Sequence, residues 1–278
     1  MTTKHLEISG LNFALQDEGD GDAVLLLHGF PDSRAVWRKQ VPALVSAGYR
    51  VVAPDLRGFG ETDKPEGVEA YAIPNLVGDV AGIMDALELK SAHVVGHDWG
   101  AAVAWAVAAF MPERVKDLVV LSVGHPSSFY GSAPIAQREK SWYMLLFQFP
   151  NAEELLAAND WQLFREWGRH HAHMEHAVAA LSAPGALTAG LNWYRANVNP
   201  LAPPVAFPPV GSRTMGVWST GDVFLTEESM TGSARYVTAP WRYERINEAS
   251  HWLQLDRPDL VNSLLLDFLQ GGTPPTGG

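Results

Sequence analysis

The sequence predicts an α/β fold: a mostly parallel, eight-stranded sheet with helices on both faces and a helical segment inserted before the last two strands. Three observations predict it. Short apolar runs alternate with helix-periodic segments over the first 125 residues, as β-α-β connections require. From about Pro126 to Pro209 the strand-like runs vanish, and helix-like segments carrying Trp142, Trp161, Trp167 and Trp193 take over. Strands then return at Thr214–Ser219 and Tyr243–Ile246, ahead of a closing amphipathic helix. The organisation expected is a core in two parts, residues 1–125 and 211–270, a helical cap over 126–210 and a disordered tail over 271–278.

Leu6–Ile8 and Leu11–Leu15 read as two strands separated by Ser9-Gly10, and Val24–Leu27, apolar throughout, as a third and fully buried one. A helical segment through Val36, Val41 and Leu44 leads to the strand Tyr49–Ala53. Leu76, Val80, Ile83, Met84 and Leu87 recur at helical spacing after Pro74, whose fixed φ and missing N–H suit a first turn. Val94-Val95 marks the next strand, Ala101–Met111 a small-residue helix and Leu118–Val123 the strand after it. Pro200-Leu201-Ala202-Pro203-Pro204 and Phe207-Pro208-Pro209 make a stiff connector out of the helical segment. Leu260, Val261, Leu264, Leu265 and Phe268 make the closing helix.

Composition narrows the function. With 47% hydrophobic and 18% charged residues the 278-residue chain has ordinary globular content. A formal net charge of -11 argues against a nucleic-acid backbone or an anionic membrane as partner. The absence of cysteine excludes disulfides, thiolate nucleophiles and thiolate metal sites. No long apolar region precedes a cleavage site near Met1, and Ala101–Met111 is shorter than a bilayer span, so the expectation is a cytoplasmic protein. Monomer and homodimer are both compatible with the sequence.

The chemistry is concentrated in Gly96-His97-Asp98-Trp99-Gly100. A strand, a sharp glycine-flanked turn and a helix are the parts of a nucleophile elbow, here with aspartate at its apex. A carboxylate nucleophile leaves an ester that water must cleave, so a base and an oxyanion hole are needed as well. Asp222, in the turn Thr220-Gly221-Asp222, and His251, ahead of the closing helix, complete the chain order nucleophile, acid, histidine of the α/β-hydrolase arrangement. Both follow strands, where open α/β sheets carry their sites. Ser122-Val123-Gly124, past the strand at Leu121, offers no alternative acid. His28-Gly29-Phe30-Pro31 follows the third strand as an oxyanion-hole loop, with the backbone N–H of Phe30 paired with that of Trp99 and a cis peptide expected before Pro31. Singly, each residue reads as a turn or a satisfied core group; their order and number favour catalysis.

Together these motifs resemble the α/β-hydrolase-fold epoxide hydrolases over the whole chain apart from the tail. The resemblance is carried by His28-Gly29-Phe30-Pro31, Asp55-Leu56-Arg57-Gly58-Phe59-Gly60, Gly96-His97-Asp98-Trp99-Gly100, Asn192-Trp193-Tyr194-Arg195, Gly221-Asp222 and His251-Trp252. It implies hydrolysis of a small apolar epoxide by water, with no cofactor and no metal, and two cap tyrosines that hydrogen-bond the epoxide oxygen. Tyr194 matches one and Tyr143 the other, with Tyr130 as the alternative to Tyr143. Phe30, Trp99, Met144, Phe147, Phe224 and Trp252 are expected to line the apolar pocket, and Asp55 to Gly60 to form a structural turn.

Rival readings are separable. A haloalkane dehalogenase shares the fold, the aspartate and often the following tryptophan, but that family's halide site looks to an asparagine where Phe30 stands and to indole N–H donors in place of the tyrosine pair. A fluoroacetate-type dehalogenase has arginine where Trp99 stands, and serine esterases are excluded at Asp98. A ligand-binding protein on a disabled fold would lack a member of the site. In His170-His171-Ala172-His173-Met174-Glu175-His176 no pair has the four-residue spacing of a zinc helix, so a polar helix face is expected.

Overall fold

The computed structural model describes residues 3–131, 135–198 and 207–272, the side chains of Tyr130 and Gly131 excepted. The expected tail beyond 272 and the proline-rich stretch 199–206 lie outside the described residues. The chain opens with β1 (Thr3–Ile8), β2 (Leu11–Glu18) and β3 (Ala23–Leu27), then α1 (Gln40–Ser46), β4 (Arg50–Pro54), α2 (Ile73–Ala86), β5 (Ala92–His97), α3 (Trp99–Phe110) and β6 (Val115–Leu121). Helices α4 (Pro126–Gly131), α5 (Ile135–Lys140), α6 (Trp142–Leu146), α7 (Ala152–Trp167), α8 (Met174–Leu181) and α9 (Ala186–Asn197) follow. The last elements are β7 (Arg213–Ser219), α10 (Glu227–Thr231), β8 (Trp241–Ile246), α11 (Leu253–Asp256) and α12 (Pro258–Leu269).

The eight strands form one sheet in the order β1-β2-β4-β3-β5-β6-β7-β8. β2 pairs antiparallel with both β1 and β4, and every other pairing is parallel. β3 and β5 lie inside the parallel region and are buried along their whole length; β3 is accordingly an unbroken apolar run, and β5 carries Val94-Val95 at its centre between two buried histidines. The period of two still sorts their side chains. Leu25, Val94 and Val120 join the core under α2 and α3, whereas Val24, Val95 and Val119 face α1 and α12. Truncating a fully buried residue such as Leu26 to Ala is expected to cost about 2 to 5 kcal/mol.

Register brings the strand ends level. Leu27 pairs with Gly96, His97 with Leu121, Leu121 with Val217 and Ser219 with Ile246, so the loops after β3, β5, β6, β7 and β8 all leave from one edge. The Asp55 turn buttresses that edge: its carboxylate holds the Arg34 guanidinium and accepts from Glu61 N–H at 3.0 Å.

Two local expectations are corrected. The helix expected through Val36 and Leu44 is split into a 3-10 turn, Arg34–Trp37, and α1. The histidine run is a helix face only at its end: His170 to His173 span the turn between α7 and α8 with His171 buried, while Glu175 and His176 are exposed on α8.

Candidate active site

β5 ends at His97 and α3 begins at Trp99, leaving Asp98 in the turn at φ 52° and ψ −123°. L-residues rarely occupy that region, and the sharp bend lifts the carboxylate off the sheet. Gly96 makes it possible: a Cβ there would stand 2.3 Å from the Gly100 carbonyl oxygen and 2.6 Å from Ala101 Cα. Asp98 Oδ1 accepts a 2.9 Å hydrogen bond from Phe30 N–H. A Cβ on Gly29 would lie 2.3 Å from that oxygen and 2.7 Å from the Trp99 nitrogen, so the Gly29 backbone, the carboxylate and the Trp99 amide meet with no room for a side chain. The Phe30–Pro31 peptide is cis. His28 anchors the loop from below. Its Nε2 accepts from Leu56 N–H at 2.9 Å, which leaves the proton on Nδ1 to donate to the Gly29 carbonyl at 3.0 Å. Burial lowers its pKa, in keeping with a neutral ring.

His251 Nδ1 donates to Asp222 Oδ2 at 2.9 Å, and its Nε2 lies 3.4 Å from Asp98 Oδ2. Asp222 Oδ1 accepts from Phe224 N–H and Leu225 N–H at 2.8 and 2.9 Å, which fixes the carboxylate, while Lys140 of α5 donates to its backbone carbonyl at 2.7 Å. Among the described residues no Lys or Arg forms an ion pair with either aspartate. Burial pushes the His251 pKa down, but the charge and hydrogen bond of Asp222, and after them Asp98, reverse this and raise it to about 10. The resting ring at neutral pH is therefore an imidazolium.

Tyr143 of α6 and Tyr194 of α9 stand edge to face with centroids 6.0 Å apart, and with Asp98 and Trp99 they border a cavity of about 60 Å³. Burial first, then the charge of Asp98 and then Tyr143, raise the Tyr194 pKa well above that of an ordinary phenol. The Trp99 ring stands edge to face against Tyr194, with centroids 5.1 Å apart. Of the six residues expected to line the pocket, Trp99 and Met144 are in the lining; Phe30, Phe147, Phe224 and Trp252 are not. Their rings are spent on one another: Phe30 packs edge to face on Phe147 and Tyr194, and Phe224 on Tyr143, His251 and Trp252. The side chain of Tyr130 lies outside the described residues.

Three residues around the site were not singled out by sequence. His97 Nε2 donates to the His251 carbonyl at 2.9 Å, and Ser122 Oγ donates to the same oxygen at 2.8 Å. Burial, then the charge of His251, lowers the His97 pKa to about 4, so it is a neutral neighbour of the imidazolium. Asp32 is largely covered between the inserted helices and the sheet edge, with His171 Nε2 at 3.0 Å and Trp252 Nε1 at 3.1 Å. Burial raises its pKa, yet the neighbouring histidines, His171 first and then His97 and His28, together offset this and the net shift is downward. Only Ser122 carried a signal, its place just past a strand end.

The α/β hydrolase fold family matches residues 22–258. The AB hydrolase superfamily protein YfhM of Bacillus subtilis is 37% identical over 272 residues, 94% of each chain. Human epoxide hydrolase 4 is 36% identical over 283 residues, covering 95% of this chain and 77% of its own. Among solved structures, a metagenomic epoxide hydrolase from hot environments superposes with a TM-score of 0.88 at 29% identity, over 97% of this chain and 99% of that one. Among the described residues no helix is long and apolar enough to cross a membrane.

Proposed function

Because this chain belongs to the epoxide hydrolases of the α/β-hydrolase fold, we propose that it opens an epoxide to a vicinal diol through a covalent ester on Asp98. The observation that carries the reading is the division of labour between the two carboxylate oxygens. Oδ1 accepts from the Phe30 amide and Oδ2 faces His251, under two phenols contributed by the inserted helices. Those helices act as a cap over the edge of the sheet.

Asp98 Oδ2 attacks one ring carbon; the new C–O bond forms as the ring C–O bond breaks, and its electron pair passes to the ring oxygen. A neutral phenol, Tyr143 or Tyr194, gives that oxygen its proton. Ester formation removes the Asp98 charge, with two consequences. Tyr194 loses a neighbouring anion that made it a weaker acid, and His251 loses one of the two carboxylates that hold its proton. The His251 proton can then return to the phenolate, which leaves a neutral imidazole oriented by Asp222.

That imidazole takes a proton from water, and the hydroxide adds to the ester carbonyl. The backbone N–H groups of Phe30 and Trp99 form the oxyanion hole; one such donor is typically worth about 10² to 10³ in rate. Collapse releases the diol and restores the Asp98 carboxylate and the His251 imidazolium, so the cycle closes on one epoxide and one water. Halide-releasing chemistry is less well served, because the groups that face Trp99 across the cavity are two phenols, Tyr143 and Tyr194, which suit a developing alkoxide.

A His251→Gln variant given styrene oxide and rapidly quenched should carry the substrate mass on the Asp98 peptide, because alkylation outruns hydrolysis when the base is gone. Wild-type turnover of the same epoxide with no adduct on that peptide in the variant would overturn the covalent route.

A further inference from the structure

Resting on the epoxide reading above, we infer that the substrate is a terminal epoxide with one slender apolar arm, laid from Asp98 past Trp99 toward Ala102 and Phe129. The cavity is one-sided. Beyond the reacting groups its wall includes Ala102 of α3, Val123 after β6, Phe129 of α4, Met144 of α6, Val198 after α9 and Leu225 after β7, and Asp98 is its one charged residue. Such a wall recognises a hydrocarbon arm by excluding water and offers a polar substituent nothing in exchange for its hydration.

The Phe30 side of Asp98 is different. Phe30 meets Phe147, Phe164 and Trp167 at centroid distances of 5.7, 6.1 and 5.7 Å, and Trp167 meets Phe224 at 5.0 Å. None of these five rings lines the cavity. In an interior packed to this density a second arm must displace a ring. An epoxide bound with its oxygen under the tyrosines and one carbon at Asp98 sends the substituents of a trans-disubstituted ring in opposite directions, whereas a terminal epoxide needs room on one side. The volume of about 60 Å³, room for roughly four to six waters, matches a slender chain rather than a fused ring system.

The isomers 1,2-epoxyhexane and trans-3,4-epoxyhexane share a formula, so differences in bulk hydrophobicity largely cancel. Since one misplaced methylene costs about 10- to 200-fold in an apolar pocket, kcat/KM for the terminal isomer should be higher by about 100-fold or more. On wild-type enzyme kcat/KM should also rise from 1,2-epoxypropane to 1,2-epoxyhexane, and Ala102→Phe should shrink that hexane-to-propane ratio by about tenfold or more. Diol from the two hexane isomers at rates within about threefold overturns the one-arm inference while leaving the epoxide reading intact, as does a ratio unmoved in a folded Ala102→Phe variant. Neither diol nor an Asp98 adduct from any of these epoxides would remove the epoxide reading itself, and this inference with it.

Discussion

At each end of the sheet a histidine stands between two aspartates, and only one of the two trios lacks fixed cations. At the amino ends of the strands His93 lies 2.8 Å from Asp117, though out of line for a hydrogen bond, and 3.3 Å from Asp22. There Arg213 pairs with Asp117 at 2.8 Å and Lys116 with Asp22, so two permanent cations answer two carboxylates. Burial raises the pKa of both aspartates, but their partners hold them below the ordinary carboxylate value. At the carboxyl ends Asp98 and Asp222 are buried with His251, whose proton is the counter-charge they share. Compensation by arginine and lysine gives a cluster indifferent to its histidine's charge. Compensation by a histidine gives one whose proton can be released when a carboxylate is esterified.

The widest gap between the two trios should appear on neutralising each histidine. His251→Gln keeps a donor for Asp222 but no base, and should slow ester hydrolysis by about 10² to 10⁴ in single-turnover measurements. His93→Gln should leave turnover within about twofold and cost about 1 kcal/mol in urea unfolding. A large loss of turnover in His93→Gln would break the contrast.

A pH series sharpens it. The His251 pKa is about 6.5 unfolded and about 10 folded, so the native state holds the extra proton between these values. Its contribution to stability is therefore complete below pH 6.5 and lost as pH rises through about 10, with a slope of up to about 1.4 kcal/mol per pH unit. Urea midpoints of the wild type should fall over that window, the slope should flatten in His251→Gln, and it should persist in His93→Gln. A wild-type slope that survives in His251→Gln belongs to another group.

What the sequence made legible was local or ordered along the chain. Asp98 announces itself by the glycines two residues away on either side, and Asp222 and His251 by following strands in the right order. Tyr143 and Tyr194 came from resemblance rather than from spacing. The tethers did not register, because His97 and Ser122 meet the His251 carbonyl across 154 and 129 residues, and Asp32 meets Trp252 across 220. Aromatic content near the site marked Phe30, Phe147, Phe224 and Trp252 as lining residues. Composition cannot distinguish a ring that faces a cavity from one that packs against its neighbours. The same blindness made His171 look like part of a polar face, when its partner Asp32 lies 139 residues away.

The smallest expected effect concerns how each histidine is held. His93 sits on β5, where pairing with Val24 of β3 fixes its backbone. His251 sits in a loop after β8, and its carbonyl is gripped by His97 and Ser122. Ser122 takes φ 70°, a conformation costly for a residue with a Cβ, so its backbone is held in place by more than its own preference. Ser122→Ala removes one of the two donors while the His97 bond survives, and a single net hydrogen bond is worth about 0.5 to 1.5 kcal/mol, or roughly 2- to 12-fold in rate. The loss should fall on ester hydrolysis, which needs the His251 ring aligned with water, and spare alkylation, which needs Asp98 and the phenols. In single-turnover experiments the ester should persist longer while forming at the wild-type rate, lowering kcat and KM together. Ser122→Gly, which lacks the hydroxyl but is unstrained at that φ, separates tether from strain: it should behave like Ser122→Ala. Restored hydrolysis in Ser122→Gly, or equal slowing of both steps in Ser122→Ala, would mean that the hydroxyl does not position the base.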